Sequence, residues 1–161
     1  MATRRRKRIT PAQIISGGQT GADRGGLEAA LELGIGHGGW CPKGRIAEDG
    51  VIPKRYKVHE TESPRYDVRT KRNVREADGT VLFTVGRPTG GDALTLRDAK
   101  FVGKPALHLD LGKLTYGDAA KQLRAWSAKE KIVVLNVAGS RESVAPGLQL
   151  VVQGILIATY R

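Results

Sequence analysis

In Ala12-Gln13-Ile14-Ile15-Ser16-Gly17-Gly18-Gln19-Thr20-Gly21-Ala22-Asp23-Arg24, a short run with adjacent isoleucines stops at a glycine pair and gives way to a helical pattern. The paired isoleucines predict a buried strand that glycine terminates. From Asp23 to Leu33 the period changes: Leu27, Ala30 and Leu31 share one helical face, and Glu28 and Glu32 share another. Strand, glycine turn and helix in that order are the first half of a βαβ unit.

The same alternation continues outward. A glycine-dense stretch, Gly34 to Gly39, leads to Trp40-Cys41-Pro42, and the polar connection from Lys43 to Asp67 has no clear period. A connection of that length in a compact domain is functional or disordered. Val68 to Ala77 predicts a basic helix, Thr80 to Val85 a strand, and Ala93 to Val102 a helix opened by Gly90-Gly91-Asp92. Pro105 to Leu109 is the next strand, and Tyr116 to Lys129 a helix with Ala119, Leu123 and Trp126 at helical spacing. Ile132 to Val137 is the most apolar strand, and Pro146 suits the first turn of a last helix ending near Tyr160. Strands separated by helices of this length predict a parallel sheet. The expected fold is α/β, a single doubly wound domain over residues 12–161, preceded by a basic, disordered arm over residues 1–11.

Composition narrows the function. The chain has 161 residues, enough for one core but short for two. No apolar run has the length of a membrane helix, and the basic start lacks the apolar segment of a secretory signal. The single cysteine, Cys41, excludes an internal disulfide framework, and the cytoplasm is the expected compartment. The net charge is +11, of which Arg4 to Arg8 supply five, leaving +6 on the body. Between Lys43 and Arg75 ten basic residues face five acidic ones. A glycine-rich domain with such a surplus is expected to bind small anions. Nucleic acid is not the expected partner, because no recognition-helix or zinc-finger spacing accompanies the arm.

Ligands of open parallel sheets bind beyond the carboxyl ends of the strands. Three such junctions are rich in glycine: Ser16 to Arg24, Thr89 to Asp92 with Thr95 one turn on, and Ala138 to Ser143. Glycine lets backbone N–H groups approach an anion, and the helix dipole favours negative charge there. The first junction does not have G-x-G-x-x-G spacing and no Walker-type G-K-[ST] occurs anywhere, so spacing alone leaves that junction divided between a phosphate site and a plain capped turn. Ser140 and Arg141 have the hydroxyl and the guanidinium fork that hold phosphate. His37, His59 and His108 show no metal-ligand spacing, and no catalytic arrangement emerges. The nearly apolar last helix, with Leu148, Val151, Val152, Ile155, Leu156 and Ile157, suits a buried core element or a homo-oligomer interface.

Taken together, these stretches are recognisable. Ile15 to Arg24, then Gly38-Gly39-Trp40-Cys41-Pro42-Lys43-Gly44-Arg45 with Ala47 to Gly50 and Ile52-Pro53, resemble the molybdenum cofactor (Moco) carrier protein family in its circularly permuted branch. So do Glu60-Thr61, Tyr66, Arg69-Thr70, Asn73-Val74, Ala77 to Thr80, Asn136 to Gly139 and Arg141 to Ser143. The resemblance runs in order over residues 12 to 150. It implies a Rossmann-like fold related to the lysine-decarboxylase-like (LOG) nucleotide phosphoribohydrolases. It also implies molybdenum cofactor, a pterin phosphate, as cargo, with recipient molybdoenzymes as partners. Carried over by position, Gly17, Gly18, Gln19, Thr20 and Gly21 with Arg24 face the ligand, as do Gly90, Gly91 and Asp92 with Thr95. Ser140, Arg141 and Glu142 lie beside them, and Lys43 and Arg45 supply positive charge. Asp92 stands where a threonine is expected and Ser140 where proline is common. The alternative is a nucleotide phosphoribohydrolase-like enzyme, with Glu142 or Asp92 as its acid, or a nucleotide-sensing module. The P-G-G-x-G-T-x-x-E run of those hydrolases is absent.

Overall fold

The computed structural model describes residues 9–161, so the basic run at residues 4–8 lies outside the described residues. Strand β1 (Gln13–Ile15) leads through the glycine turn into α1 (Ala22–Leu33), and β2 (Gly36–Gly38) returns beside β1. The segment after it carries four two-residue strands, β3 (Trp40–Cys41), β4 (Ile46–Ala47), β5 (Gly50–Val51) and β6 (His59–Glu60). Next come α2 (Tyr66–Glu76), β7 (Gly79–Thr84), α3 (Gly91–Phe101) and β8 (Ala106–Asp110). Finally α4 (Tyr116–Glu130), β9 (Val134–Gly139) and α5 (Leu148–Tyr160) complete the chain.

The central sheet has five strands in the order β2-β1-β9-β7-β8, and every pairing in it is parallel. Helix α5 packs against α1 and α4, and α2 packs against α3. This is the doubly wound α/β domain that the alternating pattern predicts. Counted from β9, the order reads 3-2-1-4-5, the arrangement of a dinucleotide-binding fold. The direction of winding therefore reverses between β9 and β7, and the crevice at a doubly wound sheet's switch point opens there.

The two inner strands explain the core. Val81, Leu82 and Phe83 of β7 and Leu135 and Val137 of β9 are wholly buried, as befits parallel strands covered on both faces. The apolar α5 is accounted for in the same way, because Leu148, Val152, Ile155, Leu156 and Tyr160 all belong to the main core. Its helix begins at Leu148, so Pro146 sits in the preceding turn rather than in the first helical turn. Of the residues assigned to the arm, Ile9 packs against the core, and Thr10 Oγ1 donates to the Tyr160 carbonyl at 3.0 Å.

Two segments differ from the sequence expectation. Gly36-His37-Gly38 forms an edge strand despite its two glycines, because pairing with β1 overrides poor strand propensity. The connection from Lys43 to Asp67 is held down by a second apolar cluster of Leu27, Cys41, Ala47, Ile52, Tyr56 and Val58. Arg45 staples it internally, donating to the carbonyls of Val58 (2.9 Å), Pro53 (3.0 Å), Tyr56 (3.0 Å) and Ile52 (3.3 Å). Cys41 packs within that cluster, and desolvation pushes its thiol pKa up.

Candidate functional site

A cleft of about 530 Å³ opens at the switch point. Its floor is the carboxyl end of β9, from Asn136 to Gly139, and Ser140 and Arg141 continue it. The start of α3, with Gly90, Gly91, Asp92 and Thr95, makes one wall. Gly17, Gln19 and Asp23, from the junction of β1 and α1, make another. The third wall is α2, through Tyr66, Arg69, Thr70 and Asn73.

The glycine turns let these walls meet. A Cβ on Gly21 would lie 2.3 Å from the Ser140 carbonyl oxygen, and one on Gly139 would lie 2.0 Å from that of Phe83. No side chain fits at either place, so the ends of β1, β9 and β7 come together only through glycine. Backbone bonds fix the approach: Ala22 N–H donates to Ser140 O at 3.1 Å, and Ser140 N–H donates to Phe83 O at 3.0 Å.

The junction before α1, which spacing left divided between a phosphate site and a capped turn, is occupied by the protein itself. Asp23 accepts from Gln19 N–H at 3.2 Å and from Arg69 Nη1 at 2.8 Å. Both partners of this ion pair are buried, with side-chain exposures of 11% for Arg69 and 6% for Asp23. Burial pushes the Asp23 carboxyl above its usual range, and Arg69 opposes the shift. The Arg69 guanidinium runs close past Gly17, where a Cβ would lie 1.6 Å from Nη1.

The predicted residues divide into two groups. Gly17, Gln19, Gly90, Gly91, Asp92, Thr95, Ser140 and Arg141 line the cleft. The others are engaged elsewhere. Arg24 forks onto Asp49 at 2.5 and 2.8 Å and donates Nε–H to Gly18 O at 3.1 Å. Arg45 is spent on the carbonyls of its own loop, and Lys43 is exposed outside the cleft. Thr20 hydrogen-bonds to Glu48 and accepts from Glu142 N–H at 3.1 Å. Glu48 also accepts from Ser143 N–H and Oγ, and despite desolvation these bonds hold its carboxyl below the usual range. Glu142 turns away from the cleft, accepting from Gly147 N–H at 2.8 Å and Gln149 N–H at 3.0 Å at the start of α5. Gly18 and Gly21 shape the turn without lining the cleft.

Sequence reasoning missed α2 as a wall. Tyr66, Arg69, Thr70 and Asn73 recur at the spacing of one helical face, which was the available signal. Arg97 of α3 also lines the cleft, is exposed, and forms no ion pair among the described residues.

Two groups in the cleft are chemically unusual. Burial pushes the Asp92 carboxyl up to about 6, with Ser140 Oγ donating to it at 3.2 Å and Asp23 adding like charge. Gln19 is 5% exposed, and its Oε1 accepts from Thr20 N–H at 3.1 Å and Glu48 N–H at 2.9 Å. Its Nε2 has no hydrogen-bond partner among the described residues. Among those residues, no group of three His, Cys, Asp or Glu side chains is close enough to hold a metal ion. No helix among them is long and apolar enough to cross a membrane.

Comparison with known proteins agrees with the fold. No curated protein matches the chain. The crystal structure of a protein described as "Putative molybdenum carrier protein" from Syntrophus aciditrophicus SB superposes with a TM-score of 0.92 at 40% identity, covering 94% of this chain and 96% of that one. The model of the circularly permutated YpsA SLOG family matches residues 14–160. That match spans nearly the whole described chain and accords with a sheet whose 3-2-1-4-5 order is counted from its last strand, so the chain belongs to the circularly permutated YpsA SLOG family.

Proposed function

We propose that the cleft binds and shields a small anionic heterocycle, the molybdenum cofactor or a related pterin phosphate. In this reading the protein works in the cytoplasm, passes its cargo to recipient molybdoenzymes and breaks no bond itself. The observation that carries the reading is the cleft at the switch point, where glycine-rich strand ends meet two cations, Arg141 and Arg97, without a bidentate acidic partner among the described residues. Arg141 lies 3.9 Å from Glu48, a weak pairing that leaves its fork available to phosphate. Likeness to a protein with a molybdenum-carrier description supports the choice of cargo. The reading includes a homo-oligomer. Core packing uses most apolar residues of α5, and Leu150 remains 74% exposed on it.

Thermal unfolding under anaerobic conditions, with molybdenum cofactor, AMP or molybdate added, tests the reading. A ligand that binds only the folded state adds about 2.7 kcal/mol at a hundredfold excess over Kd. A large shift with the cofactor and little with AMP is expected, and Arg141→Ala should weaken binding by roughly 1.5–3 kcal/mol. A shift with AMP alone would replace the carrier reading with a nucleotide enzyme or sensor.

One observation favours a second reading, a nucleotide phosphoribohydrolase. Asp92, held near 6 in the cleft, is an acid able to protonate a leaving base at neutral pH. Glu142, the other sequence candidate, is committed to the start of α5. Release of free base from nucleoside monophosphates, lost in Asp92→Asn, would establish this reading. No release over many hours would dispose of it.

A further inference from the structure

We propose that Asp92 and Gln19 together read the hydrogen-bonding edge of a 2-amino-4-oxopyrimidine ring, the edge shared by pterins and guanine, and so exclude adenine. This rests on the reading of the cleft as the ligand site.

The start of α3 would ordinarily be an anion seat, since helix N-termini favour negative charge. Its backbone is open, for a Cβ on Gly90 or Gly91 would meet nothing within 4 Å. Yet Asp92 puts a carboxyl of its own into that first turn, propped by Ser140 Oγ. The charged groups around it are Asp23 from α1, Arg69 from α2, and Arg141 beyond β9. Asp67 and Arg97 line the same cleft. Arg69 is committed to Asp23, so a phosphate placed here would face two carboxyl groups. What an ionised carboxylate in a cleft accepts best is a pair of adjacent N–H groups, one on each oxygen. The phosphate then belongs beside Arg141.

Gln19 supplies the complementary group. Two N–H donors, from Thr20 and Glu48, fix its Oε1 and hence the direction of the amide, leaving Nε2 as a buried donor without an acceptor among the described residues. A buried unpaired donor costs stability unless a ligand or water completes it. A ring edge running C=O, N–H, NH₂ gives an acceptor to Gln19 and two donors to Asp92. Adenine presents an amino group to the Gln19 donor and a ring lone pair to the Asp92 carboxylate, so both contacts fail.

Isothermal titration at pH 7.5 with pterin, GMP, AMP and inorganic phosphate tests this. Wild type should bind GMP tighter than AMP by about tenfold or more, and should bind pterin without needing its phosphate. Asp92→Asn and Gln19→Glu should each collapse the GMP-to-AMP ratio while leaving phosphate affinity equal or higher. The ratio should also shrink in wild type as pH falls from 7.5 to 5 and Asp92 gains its proton, but not in Asp92→Asn. Circular dichroism checks folding; if Gln19→Glu does not fold, the near-isosteric Asp92→Asn decides. GMP and AMP binding equally in wild type, or a ratio that Asp92→Asn leaves intact, overturns the proposal and spares the carrier reading. If none of the four probes binds and molybdenum cofactor gives no thermal shift, the cleft reading falls and this inference with it.

Discussion

Arg69 and Asp23 hold two walls of the cleft together across 2.8 Å, with both side chains nearly inaccessible to water. Removing one partner of such a pair leaves the other as an uncompensated buried charge, which costs about 3–5 kcal/mol. Arg69→Met should therefore lower the urea unfolding free energy by that order, and adding Asp23→Asn should restore part of it. Strictly additive losses in this double-mutant cycle would mean that the pair acts through packing alone. The residue scale is also where the sequence was least legible. Arg24 and Arg45 stand beside glycine turns, whereas Arg69 lies in a basic stretch with no glycine between residues 51 and 78. The first is forked onto Asp49, the second serves four carbonyls, and only the third reaches the cleft. What separates them is the set of acceptors the fold brings to each guanidinium, and those acceptors are far away in sequence. Asp92 is the opposite case. Its position after Gly90-Gly91 was readable, and its consequence, a carboxyl kept near 6, needed the burial that only the assembled walls provide.

The elements were legible to the extent that their signal was periodic. Helices α1 and α4 and strands β7 and β9 fall within a residue or two of the pattern, because apolar period and glycine punctuation coincide there. Strand β2 and the stapled connection after it were not, since their order comes from an edge pairing and from a small cluster under α1. Helix α5 was readable as apolar but not as to its start. Gly147, at φ +88°, turns the chain into it, and the Glu142 carboxylate accepts from N–H groups of Gly147 and Gln149. Side-chain acceptors at a helix start contribute about 0.5–2 kcal/mol. Glu142→Ala should lose stability in that range by urea unfolding while leaving ligand affinity at the cleft unchanged. A variant that loses ligand affinity with stability intact would return Glu142 to the site.

At the scale of the molecule, the strand order and the position of the chain ends belong together. The strand at the middle of the sheet, β9, comes last in sequence, and α5 carries the chain from it along α1 to the start of β1. Thr10 already touches the Tyr160 carbonyl at 3.0 Å, so a short glycine–serine linker spans the gap. A rearranged chain that starts at Lys131, joins Arg161 to Thr10 through such a linker and ends at Glu130 would place β9 first. Its sheet would then read 3-2-1-4-5 in sequence order, with every βαβ crossover internal to the chain. The new break falls at the turn after α4, where Lys131 is exposed and adopts a left-handed conformation at φ +52°, one residue before the buried Ile132. Cuts at exposed turns are the ones that folds tolerate. The rearranged protein should unfold cooperatively, with the near-ultraviolet circular dichroism of the parent and a midpoint within several degrees of it. It should keep the parent's ligand affinity, since all four segments that line the cleft stay intact. Loss of cooperative unfolding would mean that β9 must be laid between β1 and β7 after both are in place, making the order of assembly, and not only the final sheet, a requirement of this chain.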